Sequence, residues 1–269
     1  MIGADEGPPV EVIDGAAGAD VILICEHASS LVPASLNALG LDQDALESHV
    51  AWDPGAAEVA RRLARSLEAP LILQRFSRLV YDCNRPPDAE SAMPAQSEMF
   101  DIPGNVGLDE AARSARVAAL YLPFRESVAE LLDRQIGQGA APAVVTIHSF
   151  TPVFHGRRRS VELGILHDAD ARLADAMLEA SADWPDLEIR RNEPYGPEDG
   201  VTHTLQVDAI PRGLANVMIE IRNDLIATAE QQTAMAARLA GLITDAVRQV
   251  SAADGDMAVS AWRDREAAR

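Results

Sequence analysis

Short apolar runs of strand length alternate with amphipathic segments of helical length along most of this chain. Residues 21–25 form a continuous apolar run, which is typical of a strand buried on both faces of a sheet. Residues 54–67 instead place their apolar side chains at helical spacing. Because strands that alternate with helices favour a parallel sheet covered by helices, the pattern predicts one α/β domain with a central, mostly parallel sheet.

The predicted elements can be placed along the chain by the same periodicity. The predicted strands are 21–25, 71–73, 79–81, 143–147, 161–166, 187–190 and 215–221. The predicted helices are 42–49, 54–67, 109–138, 170–181 and 227–250. Outside them we expect a partly ordered lead-in at 1–18, a long surface loop at 88–107 and a polar tail at 251–269, which leaves 19–250 as the domain.

The charge of the chain excludes several classes of function. Among 269 residues there are 42 acidic side chains and 23 basic ones, and every basic one is arginine, giving a net charge of −19. Without lysine the chain cannot form a Schiff base, anchor pyridoxal phosphate or build the lysine of a P-loop. So acidic a chain is also a poor partner for nucleic acid, whose binding depends on cations that displace counterions. An anionic ligand must therefore be held by a few well-placed arginines.

Hydropathy and cysteine usage predict a soluble, cytoplasmic protein that does not enter a membrane. No apolar run reaches the roughly 18 residues of a membrane-spanning helix. The start of the chain carries Asp5 and Glu6 where a secretory signal would carry basic residues. The two cysteines, Cys25 and Cys83, lie in or next to apolar runs, so we expect them to be buried thiols of a reducing compartment.

Polar side chains that could bind a ligand or act in catalysis follow the apolar runs where the predicted strands end. Ligands of α/β sheets bind beyond the carboxyl ends of the strands, so we expect these side chains to share one edge of the sheet. They are Glu26 and His27, then Asp82, Asn84 and Arg85, then His148, and finally Glu220 and Arg222.

Two imidazoles and a carboxylate at one edge form the ligand set of a catalytic zinc site with an open fourth position. Neighbouring residues of a strand point to opposite faces, so Glu26 and His27 can both bind a metal only if the chain has left the strand. Asp53 is the alternative carboxylate, although it could also cap the helix that begins at Pro54. A further alternative is that His27 and His148 only cap strands through hydrogen bonds.

Three further features admit both a functional and a structural interpretation. Arg85 can hold a carboxylate through two parallel hydrogen bonds, or it can pair with Asp82. A buried Glu220 would have a raised pKa suited to a general base, or it can pair with Arg222. The arginine run 157–159 is typical of a solvated turn, although one of its members could meet an anionic substrate.

Five ordered strings resemble the N-formylglutamate amidohydrolase family: residues 25–29, 82–86, 147–152, 192–195 and 219–226. The likeness runs from about residue 20 to 245. It implies a zinc-exopeptidase-like fold, in which a mixed central sheet lies between two layers of helices, as in zinc-dependent carboxypeptidases and acylamino-acid deacylases. It also implies hydrolysis of the N-acyl amide of a small acidic amino acid, giving formate and glutamate in the eponymous case.

The resemblance also implies roles for individual residues. It points to Glu26, His27 and His148 as metal ligands and to Glu220 as the general base, with Arg78 polarising the scissile carbonyl. It implies that Asn84 and Arg85 bind the substrate α-carboxylate. We also place Arg222 and Tyr195 among the substrate-binding residues, with Tyr195 closing over the site from a turn-rich loop, where the alternative is a surface residue. In the carboxypeptidase-like group the first ligands come from an H-x-x-E string, whereas this chain has Ser30 at the fourth position, so the third ligand stays open between Glu26 and Asp53.

Together these expectations describe a metal-dependent amidohydrolase with a divalent metal, Zn²⁺ first, and a small anionic N-acyl amino acid as substrate. Two alternatives remain open. One is a deacylase or carboxypeptidase-like hydrolase that acts on a different N-acyl amino acid. The other is a metal-free protein that binds a carboxylate through Arg85.

Overall fold

A seven-stranded sheet forms the centre of the protein in a computed structural model, which describes the backbone of residues 1–267 and the side chains of residues 1–253. Its strands in chain order are β1 (Val10–Ile13), β2 (Val21–Cys25), β3 (Leu71–Gln74), β4 (Ala143–Phe150), β5 (Leu163–Leu166), β6 (Ile189–Arg191) and β7 (Asn216–Arg222). Their order across the sheet is β1-β3-β2-β4-β7-β5-β6.

The sheet is mixed, as expected for the fold class. Strands β3, β2, β4 and β7 run parallel to one another and form its middle. At one edge β1 pairs antiparallel with β3, and at the other β5 pairs antiparallel with β7 and parallel with β6. The carboxyl ends of β2, β4 and β7 therefore lie side by side.

Helices cover both faces of the sheet, which confirms the predicted three-layer α/β architecture. The helices are α1 (Gln43–Glu47), α2 (Ala56–Ser66), α3 (Glu110–Arg116), α4 (Leu122–Gly137), α5 (Arg172–Ala180) and α6 (Ala229–Ala267). Buried residues of α2, α5 and α6 share one hydrophobic core with one face of the sheet, and those of α4 share a second core with the opposite face. Among the described residues no helix is long and apolar enough to cross a membrane.

The alternation of side chains along the strands decides which layer contains the polar groups. On β4, Val145 and Ile147 pack towards α2, α5 and α6, whereas Val144 packs towards α4. His148 has the same parity as Val144, and Glu220 has the same parity as Met218, which also belongs to the α4-side core. His148 and Glu220 therefore lie on the face of the sheet that α4 covers.

Two sequence-based assignments near the site were wrong in their secondary structure. Residues 79–81 do not form a strand but a turn, in which the Val80 N–H donates to the Ser77 carbonyl at 2.9 Å. Their apolar side chains reflect burial in the α4-side core and not pairing in the sheet. Strand β4 continues to Phe150, so His148 lies within the strand and does not end it.

Other segments are more ordered or more interrupted than predicted. The lead-in contributes β1 to the edge of the sheet, and the loop at 88–107 contains a short ribbon that pairs Gln96–Ser97 with Phe100–Asp101. The predicted helix at 109–138 is divided by a π-helical turn, Val117–Tyr121, which ends two residues before Pro123, a residue without an N–H to donate. Most of the predicted polar tail at 251–269 lies outside the residues whose side chains are described.

Candidate active site

Three buried donor atoms converge where β2 ends and near the carboxyl end of β4. The Nδ1 atom of His27 lies 3.3 Å from Oδ2 of Asp53 and 3.2 Å from Nδ1 of His148. The Nδ1 atom of His148 is 3.0 Å from the same Asp53 oxygen. All three side chains are buried, and this group can hold a metal ion.

The triangle of donor atoms has the size that a tetrahedral zinc ion requires. With metal–ligand bonds of about 2.0–2.1 Å, neighbouring ligand atoms of a tetrahedron are about 3.3 Å apart. The three observed separations, 3.0 to 3.3 Å, are close to that value. The residues present therefore fit a divalent cation with three protein ligands.

A second carboxylate stands behind each imidazole. Oδ1 of Asp82 lies 2.7 Å from Nε2 of His27, and Oε2 of Glu26 lies 3.0 Å from Nε2 of His148. The contact between Glu26 and His148 does not have the angle of a good hydrogen bond. The carboxylate charge nevertheless favours a proton on Nε2 of His148. Both rings then present the lone pair of Nδ1 to the centre of the triangle, an arrangement common to metal-bound histidines.

Glu26, the carboxylate that the sequence analysis placed first among the ligands, is thus on the far side of the His148 ring from the triangle. The chain has left the strand at Glu26 and His27, but only His27 turns towards Asp53. Although burial opposes ionisation of Glu26, its charge contact with His148 lowers its pKa. The structure therefore brings Asp53, and not Glu26, to the two imidazole nitrogens.

The backbone before α2 explains how Asp53 reaches the site. Its N–H donates to the His27 carbonyl at 3.0 Å, and the Ser149 N–H donates to its Oδ2 at 3.2 Å. Gly55 follows with φ +83°, and a Cβ there would lie 2.5 Å from the Ile226 carbonyl oxygen. Gly55 is the N-cap of α2 and Asp53 makes no capping hydrogen bond, so the alternative role considered for Asp53 does not apply.

Glu220 lies beside this group with an unusual electrostatic environment. It is the direct partner of His148 in the parallel pairing of β7 with β4. Its Oε2 atom is buried and accepts no hydrogen bond from the described residues. Burial raises the pKa of Glu220 to about 7. A carboxyl group that is half ionised near neutral pH is suited to accepting and returning a proton.

Arg222 does not pair with Glu220 and does not line the cavity described below. Its guanidinium donates to Glu162 at 2.9 Å and to Asp224 at 2.7 Å, and it also approaches the carbonyl groups of Arg159 and Ser160. These contacts hold the end of β7 to the segment before β5. Arg222 thus links neighbouring segments outside the cavity, whereas the sequence analysis placed it among the substrate-binding residues.

A cavity of about 640 Å³ opens in front of the donor atoms, with Glu220 in its wall. Its charged lining consists of three arginines and five carboxylates. These are Arg78, Arg85 and Arg159, and Asp53, Asp82, Glu98, Asp199 and Glu220. A divalent cation would offset the excess of negative charge, which is the condition for admitting an anionic ligand to so acidic a protein.

The arginines of the cavity differ in how they are paired. Arg78 bridges Asp82 at 2.9 Å and Asp53 at 3.4 Å, and these carboxylates, against the cost of burial, raise its pKa. Arg85 donates to the carbonyl of Asn84 at 2.8 Å and makes no ion pair within the described residues. The alternative pairing of Arg85 with Asp82 is therefore not formed, because Asp82 is engaged by His27 and Arg78.

Asn84 and Tyr195 also line the cavity, and they are held there by different contacts. The Asn84 side chain donates to the Val201 carbonyl and accepts from the Thr204 N–H at 3.0 Å, so it fastens the segment 201–204 to the turn that carries Arg85. The ring of Tyr195 lies under the guanidinium of Arg159, 4.8 Å from the ring centre. Burial raises the pKa of the Tyr195 hydroxyl.

Arg159 is the member of the arginine run 157–159 that lines this cavity, a choice that the sequence analysis left open. Arg157 and Arg158 lie exposed on a short ribbon with Val153 and Phe154, as a solvated turn predicts. The next residue, Arg159, turns inwards to the cavity instead. The available signal was the pair of aromatic residues at 150 and 154, but the run of three arginines does not show which member meets them.

Comparisons with known proteins agree with this architecture. The family model described as N-formylglutamate amidohydrolase matches residues 19–227. A crystal structure of gene product Atu2144 from Agrobacterium tumefaciens is 57% identical in sequence with a TM-score of 0.90, over 93% of this chain and 99% of that one. N-formylglutamate amidohydrolase from Ralstonia eutropha JMP134 shares the fold with a TM-score of 0.65 at 17% identity, over 91% of this chain and 99% of that one. No curated protein sequence matches significantly.

Proposed function

This chain belongs to the N-formylglutamate amidohydrolase family, and we propose that it is a zinc-dependent hydrolase that cleaves N-formylglutamate to formate and glutamate. The observation that carries the proposal is the buried triangle of His27, Asp53 and His148 with Glu220 next to it. Metal-assisted hydrolysis of an amide commonly uses a metal held by three protein ligands and a carboxyl group beside it that titrates near neutral pH. Family membership alone gives the coarser statement, that the chain is an amidohydrolase.

In this proposal His27, Asp53 and His148 hold the metal, and Asp82 and Glu26 orient the two imidazoles from behind. A bound zinc ion would supply a Lewis acid for the amide carbonyl and would make a water molecule more acidic. Arg78 reaches the same place through its pairing with Asp53 and Asp82. We assign it the role of polarising the scissile carbonyl oxygen.

Glu220 performs the proton transfers. It accepts a proton from the attacking water, whose oxygen forms the new bond to the formyl carbon. It then gives that proton to the amide nitrogen as the carbon–nitrogen bond breaks, which releases the amino acid as a free amine. Its raised pKa makes it a stronger proton acceptor than an ordinary carboxylate, although a nearby cation would lower that pKa.

Arg85 holds the α-carboxylate of the substrate, which orients the amide against Glu220. Its lack of a carboxylate partner among the described residues leaves its hydrogen-bond donors available for this purpose. Asn84 contributes by fixing the turn that carries Arg85, and Tyr195 closes the wall of the cavity. The cytoplasm is the proposed compartment, in keeping with two free, buried cysteines.

A substrate screen of the zinc-loaded protein tests this proposal. N-formyl, N-acetyl and N-succinyl derivatives of glutamate, aspartate and glutamine are compared by release of the free amine. We expect N-formylglutamate to have the highest kcat/KM. A preference for a longer acyl group would identify a different deacylase, and zinc-loaded protein that hydrolyses none of these amides would contradict an amidohydrolase of this class.

A further inference from the structure

Two of the three arginines in the cavity have no carboxylate partner within the part of the chain whose side chains are described. Arg78 is neutralised by Asp53 and Asp82. The Arg85 guanidinium donates to the Asn84 carbonyl and forms no ion pair with any side chain of the described residues. Arg159 is the second unpaired cation, and it comes from a different segment, after the ribbon that follows β4. In a chain with 42 acidic residues such arginines are not short of possible partners, so their isolation requires an explanation.

Aromatic rings fix the guanidinium of Arg159 in place. Its central carbon lies 4.4 Å from the ring centre of Phe154, 4.8 Å from that of Tyr195 and 5.4 Å from that of Phe150. Each distance is within the range of a favourable cation–π contact. Contacts with ring faces do not use hydrogen-bond donors, so N–H groups of the guanidinium stay able to donate.

The hydrogen bonds that the Arg159 side chain makes leave most of this donor capacity unused. Nη1 donates to the Thr151 carbonyl at 3.4 Å, a long and weak contact, and the guanidinium also interacts with the Tyr195 hydroxyl. A guanidinium carries five N–H donors in a fixed fork that matches the two oxygens of a carboxylate. Because the rings already hold the fork still, a carboxylate that binds it does not have to immobilise a flexible side chain.

We propose that Arg159 is a specificity-determining residue that binds the side-chain carboxylate of the substrate, while Arg85 binds the α-carboxylate. This inference rests on the proposed function, since it concerns which amino acid the hydrolase accepts. It explains why two separate unpaired arginines line one cavity. It also assigns a ligand, a second carboxylate, to a residue that the sequence alone placed in a solvated turn.

The test compares Arg159→Gln with wild type on two substrates, N-formylglutamate and N-formylglutamine, which differ only in the charge of the side chain. Loss of a charge-assisted, bidentate hydrogen bond should raise KM for N-formylglutamate about 10- to 100-fold and leave kcat within about threefold. KM for N-formylglutamine should change little. Equal losses on both substrates, or no loss on either, would overturn the inference.

Two controls separate this inference from a folding defect and from failure of the proposed function. Arg158→Gln removes the neighbouring exposed arginine and should leave both KM values unchanged, and thermal melting shows whether each variant folds. Binding of glutarate and its monoamide to the protein needs no catalysis. Wild type should prefer glutarate and Arg159→Gln should lose that preference, whatever substrate the enzyme hydrolyses. If wild type binds both equally, Arg159 does not select a second carboxylate.

Discussion

Glu220 and His148 are direct partners in the parallel pairing of β7 with β4, so the sheet itself sets their relative position. The same register places Gly164 of β5 opposite Glu220 on its other side. A shift of one residue in either strand would turn the side chain to the opposite face of the sheet. The proposed base and one proposed metal ligand are therefore positioned by regular secondary structure, while the remaining ligands come from adjoining turns.

Replacing Glu220 by Gln should remove turnover and leave the metal bound. The amide is nearly isosteric but cannot accept the proton of the attacking water, so we expect kcat to fall by about 10²- to 10⁴-fold. Release of formate or amine gives the rate, and metal analysis of the same preparation gives the occupancy. Turnover within tenfold of wild type would exclude Glu220 as the base.

The same variant should also change how stability depends on pH in protein stripped of metal. Burial raises the pKa of Glu220 from 4.5 to about 7, so the folded state holds this proton more tightly than the unfolded state. The resulting stabilisation is complete below about pH 4.5 and is lost as the pH rises through about 7. At pH 8 the free energy of unfolding of Glu220→Gln should exceed that of wild type by on the order of 3 kcal/mol. A urea titration at pH 5 should show a much smaller difference, and a constant difference at both pH values would refute this expectation.

Asp82 should matter for metal affinity through His27. Its carboxylate holds the ring from behind at 2.7 Å, and although burial opposes ionisation, the contacts with His27 and Arg78 hold its pKa well below the usual range. Asp82→Asn should weaken zinc binding by about 10- to 100-fold. Competition with a chromogenic chelator measures the affinity. The matched control is Asp133→Asn, which removes an exposed carboxylate paired with Arg212 and should leave the zinc affinity unchanged. An equal zinc affinity in the two variants would contradict the role of Asp82.

Gly164 should be intolerant of any side chain. A Cβ there would lie 2.1 Å from the Glu193 carbonyl oxygen, two residues before Tyr195, and 3.2 Å from Cβ of Glu220. We expect Gly164→Ala to destabilise the fold by about 3 kcal/mol, measured by urea denaturation. The control is Gly241→Ala in α6, where a Cβ would meet no atom within 4 Å. Because alanine favours the helix, this variant should raise the free energy of unfolding by up to about 1 kcal/mol. Similar effects at the two positions would show that the close approach at Gly164 is not a constraint.

Much of this arrangement is predictable from sequence because buried parallel strands have a distinctive pattern. The apolar runs of β2, β4 and β7 identify the strands, and the rule that ligands bind at their carboxyl ends points to His27, His148 and Glu220. The carboxylate ligand is harder to predict. Asp53 lies 26 residues after His27 and reaches it through a turn whose shape depends on Gly55 packing against Ile226, a contact that no local pattern reveals.

Contacts between distant segments explain why residues 79–81 were wrongly predicted as a strand and why the inward-facing member of the run 157–159 could not be chosen. Residues 79–81 are as apolar as a strand because they fill the core beneath α4, yet their backbone closes a turn. Arg159 is surrounded by polar neighbours in sequence, yet its partners are rings that fold onto it from two segments, 150–154 and Tyr195. Hydropathy cannot separate these cases, because each depends on contacts between residues distant in sequence.

The metal content of protein purified without chelator shows whether His27, Asp53 and His148 hold a metal ion. Wild type should contain one zinc or other divalent ion per chain, and Asp53→Ala, which removes one side of the donor triangle, should contain less than one tenth of that amount while remaining folded. Glu26→Ala, which leaves the triangle intact, should retain the metal with reduced affinity. Wild type without stoichiometric metal, or an Asp53→Ala variant that binds it normally, would contradict the account.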